Sequence, residues 1–333
     1  MNIAVIGYGY WGPNLLRNFA ETPGANVVWC VDKRPERREL ARKRQPGVAV
    51  SDRVEEVFED RRVDAVAIAT PVSTHFTLAK MALERGKHVL VEKPMTRTVA
   101  EAEELAELAR KRGCVLMVDH VFVFSPAVVK MKEIVDSSRL GKLFFIDSVR
   151  INLGLFQHDV NVVWDLAPHD LSIVDYLLGR APRSVSAFGS VHAANDLEDV
   201  AYLTLDFGDG LIASIHVNWL SPVKIRHMMI CGSEQSLLYN DLDASERIKV
   251  YNRGINVTSD ETRRQLLISY RSGDVWSPHI SMEEPLGRMA RHFAACVKDG
   301  QTPVTDGQAG LRVVKILNAA QQSIKAQGDR VVL

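Results

Sequence analysis

Over the first 120 residues the apolar positions fall into short unbroken runs, separated by segments with helical spacing. The runs are 2–6, 27–31, 65–69, 88–91 and 115–118, and each stops at a glycine, a Thr-Pro pair or a carboxylate. Segments 15–20, 35–44, 75–85 and 99–112 read as helices, the last two ended by Gly86 and Gly113. Short runs without alternation mark strands buried on both faces. Strands alternating with helices predict a parallel sheet covered on both sides, an α/β Rossmann domain.

The rhythm changes after residue 122. Helical patterns at 126–135 and 164–178, the latter closed by Gly179, flank a strand at 143–151. Strand-like runs then follow one another at 184–189, 200–207, 211–219 and 227–231, with Gly208-Asp209-Gly210 as a hairpin turn. Consecutive strands predict an α+β domain with a large, mostly antiparallel sheet. Segments 286–297 and 309–326 read as closing helices. A chain of 333 residues accommodates two cores. The expected division is 1–122 and 123–333, with the C-terminal helix a candidate to pack back on the first domain. Between 200 and 219 apolar residues occur at both parities, which predicts apolar surface on both sheet faces and a homodimer or homotetramer.

Composition then removes several partners. Lys plus Arg and Asp plus Glu are equal at 41 each, so no net field draws the chain to nucleic acid or an anionic membrane. No apolar run approaches the ~20 residues of a membrane span, and with a strand pattern at 2–6 and no basic segment before it, no secretory leader is expected. Cys30, Cys114, Cys231 and Cys296 are widely spaced, as free thiols of a cytoplasmic protein would be, without a C-x-x-C pair for zinc.

Gly7-Tyr8-Gly9-Tyr10-Trp11-Gly12 follows the first strand, opens the first helix and fits G-x-G-x-x-G. Gly7 permits the tight turn, Gly9 lets the backbone approach a pyrophosphate, and Gly12 lets helix and strand pack closely. The phosphates would meet the helix N-terminus, beside Tyr10 and Trp11 of the same loop. Asp32 ends the second strand, 20 residues beyond Gly12, where a carboxylate accepts hydrogen bonds from the adenosine ribose. Its charge repels a 2′-phosphate and favours NAD. Lys33 and Arg34 follow it and could pair with that phosphate, so NADP stands as the alternative.

Two further sites carry chemistry. Glu92-Lys93-Pro94 ends a buried strand, on the side where open α/β sheets bind ligands. The Lys93 ammonium there suits a hydrogen bond to a substrate hydroxyl and to the developing alkoxide. Asp165 and His169 lie four apart in a helical pattern and share one face. An imidazole transfers protons near neutrality and a carboxylate can fix its tautomer. A helix-face salt bridge or a cap is the other reading of that pair, with Pro168 marking a helix start nearby. His158-Asp159 with His169-Asp170 makes only a weak metal pattern, and no metal is expected.

Taken together, Gly7 to Gly12, Glu92-Lys93-Pro94 and Asp165-x-x-x-His169 closely resemble the Gfo/Idh/MocA oxidoreductase family over nearly the whole chain. The resemblance implies a Rossmann domain followed by a large sheet whose outer face forms an oligomer interface. It implies that Ala69-Thr70-Pro71 with His75 is a strand-end cofactor loop, that Glu92-Lys93-Pro94 is a cofactor and substrate signature with a cis Lys–Pro peptide, and that Asp165 and His169 are catalytic with Lys93. Segment 150–179 most resembles members of the UDP-N-acetylglucosamine 3-dehydrogenase-like and inositol 2-dehydrogenase-like groups, which implies Arg150, Asn161, Trp164 and His120 as substrate-facing residues. Val72 stands where many relatives carry Asn, and Asp119 beside His120 where a small residue is expected.

The expected activity is hydride transfer between NAD and a secondary hydroxyl of a sugar, nucleotide sugar or cyclitol, or the matching ketone. A sugar-modifying isomerase or lyase with recycled NAD, and a non-catalytic NAD-binding sensor, are the alternatives. A methyltransferase also uses a glycine-rich first turn but needs no Asp–His pair.

Overall fold

Asn2–Ile6 (β1) runs through the centre of a six-stranded parallel sheet with Asn26–Val31 (β2), Ala49–Ser51 (β3), Ala65–Ile68 (β4), His88–Glu92 (β5) and Leu116–Asp119 (β6), in the order β3-β2-β1-β4-β5-β6. This computed structural model describes residues 1–154, 159–193, 196–256 and 269–333. Ile3, Ala4 and Val5 of β1 and all of β4 are fully buried, which is why these strands lack an alternating pattern. Helices α1 (Gly12–Ala20), α2 (Pro35–Arg44), α3 (Val54–Glu59), α4 (His75–Glu84) and α5 (Val99–Arg112) alternate with the strands. In α5, Thr98 and Glu101 form a reciprocal capping box, and Gly113 closes the helix with φ 63°. The strand order reverses between β1 and β4, where sheets of this kind open a crevice at their carboxyl ends.

The chain divides into two compact units, Met1–Ser125 with Glu283–Lys315, and Pro126–Met282 with Ile316–Leu333. In the first, the helix Pro285–Asp299 buries Met289, Phe293 and Cys296, with the Phe293 ring edge-on to Phe19 of α1 at 6.0 Å. Val118 and Thr305 exchange main-chain and side-chain hydrogen bonds at the end of β6.

The second unit begins with α6 (Pro126–Asp136), β7 (Leu143–Leu153) and α7 (Val162–Leu178). β8 (Ser184–Ser190), β9 (Val200–Asp206), β10 (Ile212–Asn218), β11 (Leu220–Gly232), β12 (Ser236–Asn240) and β13 (Ile248–Tyr251) follow. β14 (Gly254–Asn256) and β15 (Ser269–Arg271) pair with each other, and β16 (Val275–Trp276) and β17 (Val331–Val332) are short edge strands. Among the described residues the main sheet has nine strands, in the order β16-β13-β12-β11-β7-β10-β9-β8-β17. Its pairs are antiparallel apart from β7–β10. β9 and β10 form the expected hairpin, closed by Phe207 N–H donating to the Leu211 carbonyl.

The strands of this hairpin alternate more cleanly than their composition suggested. Leu203, Leu205, Ile215 and Val217 share one buried face, on which α7 packs. The apolar groups of the opposite face come from aligned strands: Phe188, Tyr202, Ile212 and Phe145 are exposed there, with Tyr202 stacked on His216 at 4.2 Å.

Candidate active site

The glycine loop has the shape its sequence requires. A Cβ on Gly7, whose φ is 95°, would meet the Ala69 carbonyl, and one on Gly12 would meet the Gly7 carbonyl. Gly9 faces open space, with Arg34 Nη2 the nearest group at 3.8 Å. No side chain caps the start of α1; Pro13 has no N–H and the Asn14 and Leu15 N–H groups donate to the Trp11 carbonyl, so Gly12 supplies the helix's first N–H for an anion. Tyr10 and Trp11 stand exposed and edge-to-face at 5.5 Å. These features fit a dinucleotide: a bare main-chain cradle, an uncapped helix and aromatic surface.

Asp32 is tied to the loop, since Tyr8 N–H donates to its Oδ2 at 2.8 Å. Arg34 donates from its main chain and Nε to Oδ1, and from Nη2 to Oδ2, at 2.9–3.0 Å. Burial pushes the carboxyl up, but the bonds from Arg34 and Tyr8 outweigh it and hold Asp32 below the usual carboxylate range. Lys33 is exposed.

Two strand-end loops are bolted together by His75. Its Nδ1 lies 2.9 Å from the Pro94 carbonyl and its Nε2 2.8 Å from the Thr70 carbonyl. This joins Thr70-Pro71, after β4, to Lys93-Pro94, after β5, where the peptide bond is cis. Val72 is buried in the single helical turn that follows.

Glu92, Asp119 and His120 are buried at the ends of β5 and β6, with Lys93 partly exposed beside them. Burial and the neighbouring Asp119 raise Glu92 well above the usual carboxylate range. Burial likewise raises Asp119 to about 6, against the pull of Glu92 and Lys93. His120 is held neutral, pushed down to about 3 by burial and then by Lys93. Neither His120 ring nitrogen has a hydrogen-bond partner among the described residues.

In the second unit, Asn161 rather than a residue near Pro168 starts α7. Its Oδ1 accepts from Trp164 N–H at 3.1 Å, and its Nδ2 donates to Glu198 and Gln321 at 2.6 Å each. Pro168 sits inside the helix. Asp165 and His169 are both half-buried, one turn apart on α7. Trp219 Nε1 donates to Asp165 Oδ2 at 3.1 Å, so the carboxylate is anchored from the end of β10. Arg150, 2% exposed, is locked to Asp170 by Nε–Oδ2 at 2.7 Å and Nη2–Oδ1 at 3.2 Å. Ser148 donates to the same carboxylate at 2.9 Å.

The first unit thus gathers Gly7, Gly9, Tyr10, Trp11, Gly12 and Asp32 into one loop region, and Thr70, Pro71, His75, Glu92, Lys93 and His120 at neighbouring strand ends. The second gathers Asn161, Trp164, Asp165 and His169 on α7. Arg150 and Asn161 spend their polar groups on internal partners. Trp219, Glu198 and Gln321 were not among the expected site residues, since Trp219 counted as an apolar strand position and the other two lie on no motif; Asp170 figured only in the weak His-Asp metal pattern. His158 lies outside the described residues, and no group of three or more candidate ligands for a metal occurs among those described.

Residues 1–120 match the model described as "Oxidoreductase family, NAD-binding Rossmann fold", and residues 128–238 match the "GFO/IDH/MocA C-terminal domain". The chain is 28% identical to scyllo-inositol 2-dehydrogenase (NAD(+)) of Bacillus subtilis (strain 168), over 93% of its length and 90% of the relative's. It is 32% identical to UDP-N-acetylglucosamine 3-dehydrogenase of Acidithiobacillus ferrooxidans, over 79% and 80%. Among solved structures, GenD2 from gentamicin A biosynthesis in complex with NAD superposes with a TM-score of 0.84 at 25% identity, covering 100% of this chain and 96% of that one.

Proposed function

The chain belongs to the Gfo/Idh/MocA oxidoreductase family, and from that premise we propose that it oxidises a secondary hydroxyl of a sugar, nucleotide sugar or cyclitol, or reduces the matching ketone. The observation that carries this reading is α7, which presents Asp165 and His169 one turn apart and holds Asp165 on Trp219. A helix-face salt bridge needs no such buried indole donor. His169 takes the hydroxyl proton, Asp165 orients the imidazole and steadies its charged form, and Lys93 donates to the oxygen as negative charge develops there.

Gly7, Gly9 and Gly12 and the start of α1 hold the pyrophosphate, and Asp32 takes the ribose hydroxyls. Tyr10, Trp11, Lys33, Thr70, Pro71, His75 and Glu92 complete the nucleotide's surroundings. NAD, when bound, supplies the hydride acceptor. His120 and Trp164 touch substrate, whereas Arg150 and Asn161 act by fixing β7 and α7. The family relatives named for inositol and for UDP-N-acetylglucosamine support this substrate class.

The exposed row of Phe145, Ile212, Tyr202 and Phe188 supports assembly into a homodimer or homotetramer through the second unit's sheet. Four free cysteines suit a reducing cytoplasm. The test of activity is a panel of cyclitols, free sugars and nucleotide sugars with NAD, followed by the near-ultraviolet absorbance of the reduced nicotinamide. Turnover of at least one secondary alcohol is expected. Silence across the panel in both directions, with NAD bound, would sink the reading. A monomer by light scattering at micromolar concentration would remove the assembly.

A further inference from the structure

Two neighbouring strands of the first unit end in carboxylates. Parallel pairing sets Glu92 directly opposite Asp119, so the two side chains leave the sheet on one face from strands about 4.8 Å apart. Both are buried, at 8% and 4% exposed. Two carboxylates this close, out of water, do not both stay ionised unless cations match them.

The charges around the pair can be named. β4 brings only Ala65, Val66, Ala67 and Ile68. His75, from α4, has the Pro94 carbonyl at Nδ1 and the Thr70 carbonyl at Nε2, and is not among the groups whose charge shifts the pair. Glu101, from α5, is spent on its capping box. Asp306, bridged to Met117, caps the Ala309 N–H. The groups whose charge acts on the pair are Lys93 and each other. His120, buried, neutral and without a hydrogen-bond partner among the described residues, adds no second cation. Among the described residues one ammonium therefore acts on two carboxyls, and Asp119 Oδ1 is buried with no hydrogen-bond partner.

We propose that Glu92 and Asp119 share one proton at neutral pH and act as a positioning pair for the Lys93 ammonium. The proposal rests on the reading of Lys93 given above. Sharing a proton leaves the pair with a single negative charge spread over two strand ends. That charge keeps Lys93 protonated and steadies its ammonium at the strand ends, where the substrate oxygen is proposed to meet it. Asp119 is then the residue that sets the charge of the signature Glu-Lys-Pro segment. A small side chain in its place would leave Glu92 as an ordinary buried salt-bridge partner of Lys93.

The test is infrared spectroscopy of the cofactor-free protein at neutral pH. A protonated-carboxyl carbonyl band, shifting in D2O, is expected in the wild type and lost in both D119N and E92Q, because either change leaves one carboxylate for one ammonium. No such band in the wild type, or a band that survives in both variants, overturns the shared proton. D119N should also lower kcat about tenfold or more, with NAD affinity within about twofold of wild type. Unchanged kcat in a folded D119N protein overturns the positioning role. The band is read on resting protein, so it stands or falls apart from the turnover of K93A, which tests the role of Lys93 itself.

Discussion

Arg34 grips Asp32 through both carboxylate oxygens, with Nε on Oδ1 and Nη2 on Oδ2 at 3.0 Å each. The residue proposed to repel a 2′-phosphate is thus paired with one that would attract it. NAD is expected to exceed NADP in kcat/KM. Asp32→Ala should narrow that gap. Arg34→Ala should widen it by about tenfold or more, the worth of a hydrogen bond to a charged group. Steady-state kinetics with both cofactors decide the matter, and an unmodified enzyme that prefers NADP would reverse the assignment of Asp32.

Lys93→Ala should cut turnover by about 10²–10³-fold, as loss of a donor to a developing oxyanion does. Cofactor affinity, read by titrating NADH fluorescence, should change little. Near-wild-type kcat would remove Lys93 from the chemistry.

His169→Asn should lower kcat by about 10²–10⁴-fold, the usual worth of a positioned acid–base group. It should also abolish the fall in alcohol oxidation that accompanies protonation of the imidazole. Asp165→Asn should cost less, since Trp219 still holds the side chain and an amide can still meet the ring. Equal or greater loss at Asp165 would contradict the roles assigned.

His120 gives a pH signature in stability. Burial depresses its folded-state pKa to about 3, whereas in an unfolded chain an imidazole titrates near ~6.5. Below ~6.5 the unfolded chain therefore binds the extra proton, so this contribution is intact above that pH and is lost as the pH falls toward 3. Asp119, raised to about 6, works in the opposite direction, stabilising at low pH and losing that effect as pH rises through 6. Comparing wild type with His120→Gln isolates the imidazole. Urea titrations should show the gap moving toward the variant by about 2 kcal/mol between about pH 7 and pH 5. A gap that does not move would mean His120 is not held neutral.

Asp170→Asn should destabilise the protein by about 3–5 kcal/mol, because it strands the buried Arg150 guanidinium. Arg150→Met with Asp170→Leu should recover most of that loss. Chemical denaturation of the wild type and the two variants measures it, and an Asp170→Asn protein as stable as wild type would show that solvent reaches Arg150.

The strands of the parallel sheet were legible because each is a buried run between turn signals. β3, with three residues, and α3, with six, were not, since neither is long enough to set a period. β11 was read only at 227–231, yet it runs from Leu220 through Pro222, whose missing N–H falls where the register slips between Leu220 and Ile225. Gly7, Gly12 and Asp32 were legible because their roles follow from local backbone geometry. Trp219 was not, because its bond to Asp165 joins residues 54 apart and leaves no local pattern. The same is true of Arg150 and Asp170: the two charges were visible, but that they neutralise each other became visible only in the fold.

The nucleotide-binding half also has a schedule imposed on it. Its final piece, Glu283–Lys315, leaves the ribosome after strands β7 to β16 have been made. Until then Phe19 lacks Phe293, and Val118 lacks its hydrogen bond from Thr305, so the first 125 residues emerge as an unfinished layer with apolar surface still in water. The nascent chain must therefore protect that layer, or hold it loosely, through most of translation. A fragment cut at residue 125 carries the glycine loop, Asp32 and Lys93, yet lacks the helix that covers α1.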